Sequence, residues 1–132
     1  MSIVFKSISN KISTKSQSWV NIPDLAISVT DLAYKGSKEA LVTLTIPSPY
    51  AAGNNYPGIN FAITMNGEVL SSGSVTSSIE KPTSFGRTPF SLQVLVDLSN
   101  HSRLGLIQAQ WCGIRGSEAN IDSPCSISAV VN

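Results

Sequence analysis

Apolar side chains recur at every second position along most of the chain, and helical spacing does not. In SIVFKSI (2–8) Ile3 and Phe5 share a face, and in ALVTLTI (40–46) Ala40, Val42, Leu44 and Ile46 do. INFAITM (59–65) presents Ile59, Phe61, Ile63 and Met65 to a core, and FSLQVLVDL (90–98) repeats the pattern with Phe90, Leu92, Val94, Val96 and Leu98. WVNI and LAISVT read as two strands split by Pro23 and Asp24, while RLGLIQAQW and SISAVV supply the last two. Asn66-Gly67 carries the positive φ angles of a tight hairpin between INFAITM and EVLSSGSVTSSI. Short strands separated by Pro, Gly, Asn and Ser predict an all-β fold, a two-sheet sandwich of jelly-roll or Greek-key type, with helix limited to a turn. Two connections are longer than such turns require, PSPYAAGNNYPG (47–58) and EKPTSFGRTPF (80–90). Long loops on a rigid β scaffold are where binding surfaces are built.

The chain has 132 residues, which predicts a single domain over 1–132, able to form a core without metal or disulfide. Only 13% of residues are charged and the net charge is +1, so the clustered cations that hold nucleic acid or anionic lipid are missing. No nucleic-acid partner and no membrane insertion are expected. The N-terminal segment has no continuous apolar run followed by a small-residue cleavage site, and no stretch reaches membrane-spanning length. The expectation is a soluble protein, cytoplasmic or released by a route that needs no signal peptide.

The residues offer little for catalysis. His101, the one histidine, lies in the turn-like SNHS without a neighbouring group to orient it as a base. With two cysteines, one histidine and eight scattered carboxylates there is no zinc or iron motif, and calcium at SEANID would rest on few ligands. An acid–base centre from Asp122 and Arg115 is the only set available, and it does not make a hydrolase. Neither an enzyme nor a cofactor is expected.

Two arginines stand out. Arg87 in FGRTPF and Arg115 in GIRG each adjoin glycine, so the backbone can approach closely and the guanidinium can hold a fixed direction. Such an arginine either ties a loop to backbone carbonyls or offers a fork of donors to vicinal hydroxyls or a carboxylate. Neighbouring Thr and Ser and the rings of Tyr50, Tyr56 or Phe85 would complete a sugar site, which pairs planar polar groups with an apolar face. Cys112 and Cys125 flank the Arg115 segment and read either as two small buried hydrophobes or as a bridge closing it.

The segments IPSPYAAGNNYPGINFAI, FGRTPFSLQV and QWCGIRGSEANIDSPCSISAV resemble the tumour-necrosis-factor-like, fucose-binding lectin domain at the N-terminus of a bacterial two-domain superlectin. The likeness runs from about Trp19 to Val131, and P-x-P-Y-A-x-G-N-N-x-P-G-I followed by G-R-x-P-F is specific. It implies a jelly-roll homotrimer with sites between neighbouring protomers for terminal L-fucose on H- and Lewis-type glycans, without catalysis or metal. The family's two arginines are matched by Arg87 and Arg115, and its Tyr, Thr and Ser by Tyr50, Thr76 and Ser84. Asn60 and Ser77 stand where the family has tyrosines, and Phe85 where it has threonine. The two cysteines replace non-cysteine residues together, which favours a bridge.

Overall fold

The computed structural model describes residues 2–32, 38–77, 87–100, 105–122 and 124–131. In chain order the strands are β1 (Ser2–Ile8), β2 (Ile12–Thr14), β3 (Val20–Ser28), β4 (Glu39–Ile46), β5 (Pro49–Ala52), β6 (Gly58–Met65), β7 (Glu68–Thr76), β8 (Phe90–Asp97), β9 (Leu106–Ile114), β10 (Glu118–Ile121) and β11 (Cys125–Val131). A single helical turn, α1 (Val29–Leu32), follows β3, in line with helix limited to a turn.

Two four-stranded sheets, β1-β11-β4-β8 and β3-β9-β6-β7, and a small sheet, β2-β10-β5, form a sandwich-like arrangement with every pairing antiparallel. Period-two alternation explains the packing. Ala40, Val42, Leu44 and Ile46 of β4 and Ile59, Phe61, Ile63 and Met65 of β6 all point inward and are buried. They join Ile107 and Trp111 of β9, Ile127 and Ala129 of β11, and Ala51, Ala119 and Ile121 of the small sheet in one apolar cluster. Each large aliphatic side chain so buried stabilises the fold by roughly 1.5 to 3 kcal/mol. Phe61 lies 4.9 Å from Phe90 of the facing sheet and 6.3 Å from Trp111 of its own, centroid to centroid, which fixes how the two layers meet.

Asn66 and Gly67 have φ of 52° and 85° and turn β6 into β7 as the sequence predicts. Two features differ from the sequence reading. VNI and LAIS are one strand, β3, whose register against β9 shifts between Asn21 and Ala26, with Asp24 at φ 64°, while Val29 and Thr30 already belong to α1. The extra residues form a bulge that accommodates Pro23 without ending the strand. Secondly, the segment 47–58 is not a plain loop, because it contains the short strand β5, which pairs with β10, Tyr50 opposite Asn120 and Ala51 opposite Ala119. Ile3 and Phe5 share a face as the sequence predicts, and it is the outer one, 63% and 60% exposed.

Candidate functional site

β9 leads into β10 through a four-residue turn, Ile114 to Ser117, closed by the Ser117 N–H donating to the Ile114 carbonyl at 3.0 Å. Arg115 and Gly116 in its middle have φ of 54° and 77°, which makes it the tight turn that normally takes Asn, Asp or Gly at both central positions. Arginine there costs about 1 to 2 kcal/mol of backbone energy, so other contacts must hold it.

Those contacts come from three sides. Arg115 Nε donates to the carbonyls of Asn55 and Tyr56, each at 3.0 Å, and Nη2 donates to the Tyr56 carbonyl as well. Gln17 clamps the turn with both ends of its amide, Nε2 donating to the Ser117 carbonyl at 3.0 Å and Oε1 accepting from the Gly116 N–H at 2.8 Å. Ser117 is buried, its hydroxyl donating to the Ile114 carbonyl and accepting from the Gly58 N–H at 3.1 Å. Gly113 must be glycine, because a Cβ there would run into the Ser117 carbonyl and the Gln17 amide. Arg115 Nη1 has no partner among the described residues. The guanidinium is tied to a loop on one edge and open on another.

Arg87 is held differently. Its Nη1 bonds both carboxylate oxygens of Asp122, at 2.8 and 2.9 Å, and its Cζ lies 3.9 Å from the centre of the Tyr50 ring. Tyr50 is buried in β5 beside Asn120, and Asp122 follows β10 directly, so these two contacts of Arg87 both come from the small sheet. The Asp122 carboxylate therefore pairs with Arg87 and not with Arg115.

Two adjoining depressions lie between these arginines. One, of about 40 Å³, is bounded by Tyr50, Pro57, Val75, Thr76, Ser77 and Arg87. The other is open and lined by Tyr56, Thr76, Ser77 and Arg115. Thr76 and Ser77 border both, so Tyr50, Thr76, Ser77, Arg87 and Arg115 of the sequence-predicted set occupy one continuous surface. Asn60 does not line it. Its side chain sits on the outer face of the sheet, accepting from the Ser74 hydroxyl at 2.6 Å and facing Cys112 across the β6–β9 ladder. Ser84, Phe85 and His101 lie outside the described residues. Gln17 and Ser117 were missed because the bonds that bring them to the site, Gln17 to Gly116 and Ser117, and Ser117 to Gly58, join residues distant in sequence.

The bridge between Cys112 and Cys125 is also corrected. Both are buried free thiols. Alternation explains it: in β9 the inward positions are Ile107, Ala109 and Trp111, so Cys112 faces out, while Cys125 of the other large sheet joins the core cluster. Burial pushes the Cys125 thiol up to about 11. Burial raises Cys112 too, opposed by its hydrogen bond with Asn60.

Among the described residues no helix is long and apolar enough to cross a membrane. The family model of the Bc2l-C N-terminal domain matches residues 9–130, which takes in the small sheet, both depressions and the Arg115 turn. The chain belongs to this family. The Bc2l-C N-terminal domain is a lectin domain, so the surface between the two arginines is that of a lectin-like protein. Curated proteins gave no match. In this Bc2l-C-type domain β1 lies outside the matched residues, whereas every residue bordering the two depressions lies within them.

Proposed function

We propose that the protein is a carbohydrate-binding lectin that recognises terminal L-fucose on H- and Lewis-type oligosaccharides, at sites between neighbouring protomers of a homotrimer. The observation that carries this reading is Arg115, placed at a costly backbone angle with Nη1 left over, beside the hydroxyl-bearing ridge of Thr76 and Ser77. A planar donor next to two hydroxyls suits the vicinal hydroxyls of a pyranose. The depression at Arg115 is open on one side, which leaves room for a second protomer to complete it, with Ser84, Phe85 and Arg87 as further contributors by the family resemblance.

The trimer reading draws support from the outer face of the β1-β11-β4-β8 sheet. Ile3 pairs with Val130, Val130 with Leu41, and Leu41 with Leu95, a row of four apolar residues across all four strands with Phe5 beside it. A continuous apolar row on a sheet face is the kind of surface a symmetric assembly covers.

On a glycan array the protein is expected to bind fucosylated structures and ignore their unfucosylated counterparts, with Arg115→Ala and Arg87→Ala silent while native mass remains that of the trimer. An intact trimer with a blank array would overturn the lectin reading. The same apolar row favours the second reading, an assembly module that does not bind sugar. Under that reading millimolar fucose leaves the melting temperature unchanged, whereas a bound ligand raises it by mass action.

A further inference from the structure

The depression at Arg115 contains one feature that hydroxyl recognition does not use, an exposed aromatic ring. We propose that Tyr56 is the platform on which the C–H face of the bound pyranose stacks while Arg115 Nη1 and the Thr76 hydroxyl take its vicinal hydroxyls; this rests on the lectin reading above and adds a residue to its site.

The rings bordering the two depressions are in opposite states. Tyr50 is buried, with its face already covered by the Arg87 guanidinium at 3.9 Å. Tyr56 is 66% exposed, the most exposed large hydrophobic side chain among the described residues. An exposed loop tyrosine would ordinarily be free to swing, and ordering it on binding would cost affinity. Here the backbone beneath it is fixed. Tyr56 stands at φ 46°, is followed by Pro57, and its carbonyl accepts from both Nε and Nη2 of Arg115. Asn55 next to it is tied to the same guanidinium.

Two non-glycine residues at left-handed angles, Tyr56 and Arg115, are therefore bonded to each other across one open depression. Strain held in place by mutual contacts is a mark of a functional surface. Its effect is to fix the backbone that carries the ring against the guanidinium that carries the unpartnered Nη1. An aromatic face next to a planar donor is the combination that reads a sugar ring from both its apolar and its polar sides.

The test titrates the intact protein with an H-type fucosyl trisaccharide. Tyr56→Ala is expected to weaken binding by about tenfold or more, and Tyr56→Phe to keep it, since the stacking face survives. The sugar's C–H protons are expected to move upfield on binding to the wild type and to Tyr56→Phe, but not with Tyr56→Ala. Melting temperatures of all three should coincide, because the ring is exposed. Undiminished binding by Tyr56→Ala, or loss of binding by Tyr56→Phe, overturns the platform and leaves the lectin reading standing. A wild-type protein that binds no glycan overturns both.

Discussion

Arg115 occupies a turn position that Asn, Asp or Gly would fill at lower cost, and that conflict is the most informative single residue in the chain. If it serves only to tie the 53–57 segment, replacing it must cost stability; if it serves a ligand, the turn should tolerate a better turn former. Arg115→Asn relieves about 1 kcal/mol of backbone strain and forfeits exposed hydrogen bonds worth about 1 kcal/mol. Urea unfolding is therefore expected to place it within about 1 kcal/mol of wild type, while glycan binding is lost. A loss of several kcal/mol would make Arg115 a purely structural tie. Cys125 offers a second check at this scale. Its thiol stands near 11 in the fold against an ordinary 9.0, so the neutral form is favoured in the folded state. That contribution is complete below pH 9 and disappears as pH rises through 11, a loss of about 2 to 3 kcal/mol. Denaturation midpoints at pH 8 and pH 11 should fall further apart for wild type than for Cys125→Ala. The sequence singles out both residues, the arginine by its glycine neighbours and the cysteine by its rarity. It could not assign partners: Asp122 lies 35 residues from Arg87 and Asn55 lies 60 from Arg115, and such pairings exist only once the sheets are assembled.

At the scale of elements, the long alternating strands were legible because three or four inward positions in register, as in β4, β6 and β9, outweigh any local ambiguity. β5 and β10 were not, since four residues hold too few alternations to rise above the Pro, Gly and Asn around them, and strand pairing supplies what periodicity lacks. The two strands change what the site is. The 47–58 segment, which reads as a long loop, is joined edge to edge to β10, and Ser117 fastens the Arg115 turn to Gly58 at the start of β6. Ser117→Ala leaves the buried Gly58 N–H without its acceptor and should destabilise the protein by about 1 to 3 kcal/mol by urea unfolding. Gln17→Ala removes bonds of an exposed amide and should cost less than about 1 kcal/mol, yet loosen the turn that aims Arg115. Its signature is weaker glycan binding at nearly unchanged stability, and equal binding by Gln17→Ala would confine Gln17 to local packing.

For the whole molecule, the outer face of the β1-β11-β4-β8 sheet carries the apolar row of Ile3, Val130, Leu41 and Leu95 beside a polar row of Ser128, Thr43 and Gln93, and the outer face of the other large sheet carries Ser72, Ser74, Asn60 and Gln110, with Gln110 Nε2 donating to Asn21 at 2.8 Å. The continuous apolar row is the part of these faces with most to gain from being covered. If the apolar face joins copies of the chain, a charge placed in its row must separate them without unfolding the protomer. Leu95, 61% exposed on the edge strand β8, is the position for it. Leu95→Glu is expected to keep the protomer's stability within about 0.5 kcal/mol, as exposed substitutions do, while native mass spectrometry shows the trimer replaced by monomer. Ser72→Glu, on the polar face, should leave the trimer intact. Because the depression at Arg115 is open on one side, the Leu95→Glu monomer should also lose glycan binding although every site residue of its own chain is in place. A monomeric Leu95→Glu that binds as well as wild type would show the site complete within one chain, and a trimeric one would move the interface off this sheet.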